Sequence, residues 1–163
     1  MNTSSPAQAE LFDRLVQENR SRLWGIARSY GRDQASDLFQ EILLAVWKAV
    51  PGFRGESSGL TWCYRIALNV AISWQRKTSR RLHRESATEL PDVAHRLDGE
   101  SDESLLERFL TTLSAADKAC LVMYLDDLGP VEIAAVLETT DGAVRTRLHR
   151  IKQKLADWEP LDS

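Results

Sequence analysis

A chain of 163 residues with a net charge of −3, 43% hydrophobic and 28% charged side chains has room for one ordinary domain or two small ones, and its composition is that of a soluble globular protein. No apolar run approaches the ~18 residues a membrane helix needs, and Met1 to Glu10 lacks a charged stretch followed by an apolar one; membrane insertion and secretion are therefore not expected, and the cytoplasm is. Cys63 and Cys120 have no CxxC spacing and the three histidines are not grouped with them, so they read as buried thiols in a reducing compartment, with no metal and no cofactor expected.

Taken in order, the chain reads as helices throughout, with no alternating strand segment. Met1 to Gln8 is small and polar, as a frayed end would be. A first helix is expected over 9–30, with Leu11, Leu15, Leu23, Trp24, Ile26 and Ala27 at its apolar positions, ended by Gly31. Asp33 to Ser36 lead into a second helix, DLFQEILLAVWKAV, which buries Leu38, Ile42, Ala45, Val46 and Ala49 at 100° per residue. Its opposite arc carries Asp37, Gln40, Glu41 and Lys48 around Leu44, a pattern that fits a partner surface as well as a plain solvated face with one stray leucine.

PGFRGESSG then breaks the chain before a third helix, LTWCYRIALNVAISWQRKTSRRLHR. Here Cys63, Ile66, Ala67, Val70 and Trp74 form the expected core face, while Trp62, Arg65, Asn69, Ser73 and Arg76 lie near the opposite one. An aromatic ring, two guanidiniums and an amide on one stripe can stack a base, hold phosphates and read a base edge. A basic amphipathic helix on a membrane surface is the alternative, weakened by the absence of an extended apolar strip. Trp24, Phe39, Trp47 and Trp74 supply aromatics for the core of this first bundle, residues 9–82.

Periodicity fails over 83–101, HRESATELPDVAHRLDGES, which reads as a flexible acidic linker. A second unit follows over 102–158. Leu105, Leu106, Phe109 and Leu110 form one helical stripe. In LSAADKACLVMYLDDLG, Ser114 is the expected N-cap with Asp117 at the capping-box position and Gly129 as the stop. Pro130 suits the first turn of PVEIAAVL, and Asp141 is placed to cap a last helix, GAVRTRLHRIKQKL. Val144, Leu148, Ile151 and Leu155 repeat at i, i+4, i+7 and i+11 and fix its inner face, leaving Arg145, Thr146, His149, Arg150 and Gln153 outside. Two short helices joined by a tight turn, the second with such a face, make a helix-turn-helix pattern; Arg145 and His149 would read base edges while Arg147, Lys152 and Lys154 meet phosphate. A plain helical hairpin with a solvated basic side is the competing interpretation.

Charge sorts the chain in the same way. Met1 to Glu56 carries seven acids and seven bases; Ser57 to Arg84 has six bases and no acid; Glu85 to Asp141 has fourteen acids against three bases; Gly142 to Leu155 has five bases and no acid. Two basic patches divided by an acidic middle point to two separate nucleic-acid contacts.

Together these motifs resemble bacterial RNA polymerase sigma factors of the extracytoplasmic-function (ECF) group, in the sigma-70 family, over nearly the whole chain. DLFQEILLAVWKAVPGF resembles the region 2.2 helix, FRGESSGLTWCYRIALN the specificity loop and region 2.3, and EIAAVL with DGAVRTRLHRIKQKL region 4.2. The resemblance implies an all-α fold of two small helical domains, core RNA polymerase (β′ clamp helices and β flap) and promoter DNA as partners, and a separate anti-sigma factor, since the chain ends soon after Trp158. It places Asp37, Gln40, Glu41 and Leu44 against the clamp helices. Phe53, Arg54, Ser57, Ser58, Trp62, Arg65, Asn69, Arg76, Lys77, Arg80 and Arg81 fall at the minus-ten element. Arg145, Thr146, Arg147, His149, Arg150 and Lys152 fall at the minus-thirty-five element. Ser57, Ser58 and Gly59 depart from the bulkier residues common in the loop, and Pro130 from a commoner polar residue.

The competing class is a free-standing helix-turn-helix regulator with an amino-terminal dimerisation bundle, which has no need of the Trp62–Asn69 stripe. An enzyme is not expected: Asp37 and Glu41 form an i, i+4 carboxylate pair, but no histidine, lysine or nucleophile lies near them in sequence.

Overall fold

The computed structural model describes residues 5–85 and 102–159, and among these every regular element is helical. Seven α-helices follow in order: α1 Pro6–Gly31, α2 Ala35–Ala49, α3 Gly59–Glu85, α4 Asp102–Thr111, α5 Ala115–Leu125, α6 Pro130–Leu137 and α7 Asp141–Asp157, with 3-10 turns at Arg32–Gln34 and Val50–Gly52. The expected linker falls mostly outside the described residues, except that His83 to Glu85 complete α3.

Helices α1, α2 and α3 pack mutually into the first bundle. On α2, Leu38, Ile42 and Val46 are fully buried, as the periodicity predicts, whereas Ala45 and Ala49, expected beside them, are only half-buried and Phe39 joins the core instead, where Trp24 meets it edge-on at 5.3 Å. Trp47 packs edge-on to Phe12 at 5.2 Å. Two loop glycines have reasons to be glycine. Gly55 sits at φ 71°, a left-handed conformation other residues adopt with strain. At Gly59 a Cβ would lie 2.7 Å from Leu15 Cδ2, so its absence lets α3 begin flush against α1. Ser58 then caps α3, its Oγ accepting from the Thr61 amide at 3.1 Å.

The second bundle stacks α5, α6 and α7 around Cys120, Met123, Ile133, Val144 and Ile151. Ser114 caps α5 as expected, accepting from the Asp117 amide at 3.2 Å. The helix stops earlier than the glycine suggested. It ends at Leu125, Asp127 turns the chain at φ 63°, and Gly129 instead begins α6, where Glu132 Oε2 accepts its amide at 2.9 Å. The cap of α7 also shifts by one: Thr140, extended at ψ 152°, accepts from the Ala143 amide at 3.1 Å, and Asp141 is the first helical residue. Thr140→Ala is accordingly expected to cost about 1 kcal/mol, read as a lowered thermal midpoint with unchanged secondary structure.

The two bundles are not separate bodies. Helix α3 packs on α6 and α1 on α5, and the buried side chains form one continuous cluster from Leu15 to Ile151. This corrects the expected faces of α3. Cys63 and Ala67 are buried as predicted, but Ile66, Val70 and Trp74 are only half-buried, while Thr61, Tyr64, Leu68 and Ala71 are buried as well. A helix covered from two sides has a wider dry arc than one-sided periodicity allows.

Candidate nucleic-acid and polymerase interfaces

The exposed arc of α2 carries Asp37, Gln40 and Glu41 with Leu44, which keeps 51% of its surface despite its apolar side chain. Beside Gln40 lies a hollow of about 450 Å3 lined by Arg20, Trp24, Ser36 and Phe39, with the Arg20 guanidinium 5.3 Å from the Phe39 ring centre. An exposed leucine among carboxylates, one turn from the Gln40 edge of that hollow, makes a surface suited to another protein.

The loop and the start of α3 bring Phe53 and Trp62 together, ring centres 4.8 Å apart at 55°. One half-buried face of Trp62 is thus fixed by Phe53 beside the exposed Arg54 and Ser58, with Ser57 half-buried nearby. Such a pair offers a stacking platform for an unstacked base. Asn69 and Arg76 are exposed about two and four turns beyond Trp62 on α3, and Arg80 is exposed beyond them. Lys77 and Arg81 line a hollow of about 190 Å3 with Gln34, Glu41, Thr78 and Trp74, and Arg81 also pairs with Glu85 at 3.7 Å. Arg65 goes elsewhere. Its Nη2 donates to the Ala135 carbonyl of α6 at 2.6 Å, and Nε lies 3.9 Å from Glu138.

On α7, Arg145, Thr146, His149 and Arg150 share the exposed face. Arg145 Nε approaches Asp141 at 3.6 Å, and the Thr146 hydroxyl donates to the Gly142 carbonyl at 3.1 Å, which holds both at the helix start without burying them. Arg147 is placed differently from a free phosphate contact: its guanidinium donates to Asp117 at 2.7 Å, tying α7 to α5, and Lys154 reaches the same carboxylate at 3.7 Å. Lys152 lies over the Tyr124 ring at 4.9 Å and stays exposed.

What the sequence reading missed is the seam between the bundles. Tyr64 Oη donates to Asp126 Oδ2 at 2.6 Å, and Tyr30 Oη to the Ala115 carbonyl at 3.2 Å. Burial and, for Tyr64, the Asp126 bond push both phenols well above the ordinary tyrosine range. Lys118 is 3% exposed, with Nζ 4.3 Å from the Tyr30 ring centre. Cys63 and Cys120 are free and buried, and burial pushes each thiol up to about 11. Among the described residues no three His, Cys, Asp or Glu side chains group in a metal-binding set, and no helix is long and apolar enough to cross a membrane.

All-helical over the described residues, the structure sets two exposed basic faces, on α3 and α7, apart from the carboxylate-framed Leu44 on α2, the arrangement expected of a promoter-recognition subunit. Residues 15–81 match Sigma-70 region 2 and residues 103–155 match Sigma-70, region 4, so the chain belongs to the sigma-70 family, in its ECF group. It is 26% identical over 160 residues to the ECF RNA polymerase sigma-E factor of Haemophilus influenzae, covering 88% of this chain and 85% of that one. Against the sigma-E factor of Escherichia coli K12 it is 26% identical over 145 residues, covering 80% and 76%. The sigma factor RpoE in its co-crystal with the anti-sigma factor NepR from Bartonella quintana shares the fold at a TM-score of 0.70, with 23% identity over 90% of this chain and 94% of that one. CnrH, in complex with the cytosolic domain of CnrY, shares it at 0.64, with 24% identity over 90% and 85%.

Proposed function

We propose that the chain binds core RNA polymerase and directs initiation at promoters it reads through two spaced elements, acting in the cytoplasm as a specificity subunit with no catalysis of its own. The observation that carries this reading is the order of two dissimilar modules. A bundle presenting Leu44 among carboxylates and a Phe53–Trp62 platform precedes a helix-turn-helix presenting Arg145, Thr146, His149 and Arg150. A duplex-binding regulator needs only the second.

Each part has a physical task. The α2 arc with Leu44 docks on the β′ clamp helices, and the second bundle on the β flap. Stacking on the aromatic pair offsets the cost of unstacking a minus-ten base, about a few kcal/mol per step. Arg76, Lys77, Arg80 and Arg81 neutralise adjacent phosphates, which makes the contact salt-dependent. The α7 face enters the major groove at the minus-thirty-five element. Neither patch is extensive, and mounting both on one polymerase makes the second contact intramolecular. The capture of the Bartonella quintana relative with an anti-sigma factor, and of CnrH with the cytosolic domain of a second protein, CnrY, supports a separate anti-sigma protein as the regulator of this chain.

Run-off transcription from a random-promoter pool, with bacterial core polymerase and this protein, tests the reading. Transcripts sharing two spaced elements are expected; no transcripts and no co-elution with core, together with tight dimeric binding to a palindrome, would transfer the chain to the regulator class. Within the same assay Arg145→Ala is expected to cost about 1–3 kcal/mol at a single upstream base position, whereas a uniform loss at every sequence reassigns Arg145 to phosphate.

A further inference from the structure

We propose that Asp117 is a positioning residue for promoter reading: it withdraws Arg147, and with it Lys154, from DNA phosphate, so that α7 discriminates bases at the expense of hold on any duplex. The inference rests on the promoter-subunit reading of α7 and deepens it, by naming a residue outside the recognition helix that sets its selectivity.

Helix α7 carries five bases, Arg145, Arg147, Arg150, Lys152 and Lys154, and α5 engages three of them. At 100° per residue, Arg147 and Lys154 lie about 60–80° to one side of the buried Val144, and Lys152 lies about 80° to the other. Near the start of α5, Asp117 accepts from Arg147 at 2.7 Å and draws Lys154 to 3.7 Å. At the far end of the same helix Tyr124 meets Lys152, whose Nζ lies 4.9 Å from the ring centre. One helix therefore holds α7 on both flanks and fixes its roll about its own axis. The face left outward is Arg145, Thr146, His149 and Arg150.

The two flanks are not held alike. The Asp117 side chain keeps 18% of its surface and that of Arg147 36%, so their bond is charge-assisted and partly desolvated. Lys154 keeps 57% and is the looser member, and Lys152 stays exposed. Asp117 is itself well seated. It stands in the first turn of α5, where its amide donates to Ser114 Oγ at 3.2 Å and the helix dipole favours a carboxylate. Arg147 must leave that partner before it can reach a phosphate.

The consequence follows from what each kind of contact carries. Phosphate contacts add affinity without sequence information, whereas base-edge contacts discriminate. Each further cation on phosphate strengthens binding to every duplex alike and steepens its salt dependence by ~0.9 in slope. Without Asp117 the Arg147 flank would be open to phosphate, and α7 would be free to roll, which blurs its base contacts. A single carboxylate suppresses both effects.

The test uses the full chain and a ~30-base-pair duplex of random sequence, with affinity read by fluorescence anisotropy between ~50 and ~200 mM potassium chloride. Asp117→Asn is expected to steepen the salt slope by ~1–2 and to tighten binding at least ~5-fold at the lower salt. Asp117→Glu, which keeps the charge, is expected to match wild type. Arg147→Gln alone is expected to leave the slope unchanged, and added to Asp117→Asn to remove ~1 of the gain. In run-off transcription, Asp117→Asn is expected to lower the preference for a recovered promoter, over the same promoter with its upstream element scrambled, by at least ~5-fold. A folded Asp117→Asn chain with the wild-type slope overturns the inference and leaves Asp117 a stability residue. A slope lowered by ~1 in Arg147→Gln alone also overturns it, because Arg147 would then already hold phosphate, and this variant decides the matter if Asp117→Asn does not fold. Failure of the wild-type protein to support transcription overturns the promoter reading instead; the salt slope needs no polymerase and reads the Asp117 effect independently.

Discussion

Leu44→Arg is expected to abolish co-elution with core polymerase while thermal unfolding stays where it was. Leu44 lies outside the buried row Leu38, Ile42 and Val46 and exposes half its surface, so a long charged side chain at this position displaces nothing inside. Surface changes away from caps and buried pairs move stability by about 0.5 kcal/mol or less. Binding responds differently. An apolar anchor at the centre of a docking patch is a site where truncation costs about 2 kcal/mol or more, and a desolvated charge costs further. A loss of at least ~100-fold in affinity, about 2.7 kcal/mol, is the expected result. Size-exclusion co-elution with core, beside a circular-dichroism melt, reads both quantities. Co-elution at the wild-type level removes α2 from the docking surface and moves attention to the hollow of Arg20, Trp24 and Phe39; loss of helical signal would make Leu44 a structural residue instead.

The arc of α2 was legible because that helix is covered from one side only. Its periodicity separates Leu38, Ile42 and Val46 from Asp37, Gln40, Glu41 and Leu44, and the structure keeps the division. The same logic failed on α3, where a second body packs against the helix and buries Tyr64 and Leu68 outside the predicted face. Nothing in a periodicity reading announces that second body. The contacts that create it join residues 62, 70 and 85 positions apart, across the stretch that reads as a linker. The α7 cap was missed for a smaller reason: Thr140 and Asp141 are both good N-caps, and only the extended backbone at Thr140 decides between them.

Among the proposed site residues, side-chain chemistry was legible and side-chain commitment was not. Arg145, Thr146, His149 and Arg150 lie together on the exposed face their spacing predicts. Arg147 is one position from Thr146 yet turns inward to Asp117, a carboxylate that sequence reasoning had assigned only to capping α5. Arg65 likewise has the composition of a DNA contact and the present geometry of a helix clasp. A guanidinium serves either purpose equally well, so residue type alone does not choose between them.

Lys118→Met is expected to raise stability at neutral pH, and the gain should shrink as pH climbs above 8. Lys118 is 3% exposed in the seam between α5 and α1, over the Tyr30 ring, and among the described residues no carboxylate pairs with it. Burial, helped by the neighbouring Arg32 charge, lowers its pKa from 10.5 to about 8. The unfolded chain therefore binds the proton more tightly than the folded one between those values, and stability rises with pH across that window. Below pH 8 both states hold the proton and the folded state carries the whole penalty, on the order of 3 kcal/mol by the size of the shift. The ring face, worth about 2 kcal/mol to a desolvated cation, limits how much of that penalty a neutral side chain recovers, and a gain of ~1–3 kcal/mol at pH 7 is the expectation. In this size range that is a rise of about 3–10 °C in midpoint. Cys63 and Cys120, pushed up to about 11, act in the opposite direction, since the folded state holds their protons longer and loses stability as pH rises from 9 to 11. The difference between Lys118→Met and wild type cancels that contribution and leaves the lysine's own profile: largest at pH 7, declining above 8, gone by 10.5. A flat difference across this range would mean that the ammonium stays charged in the seam, held by the Tyr30 ring.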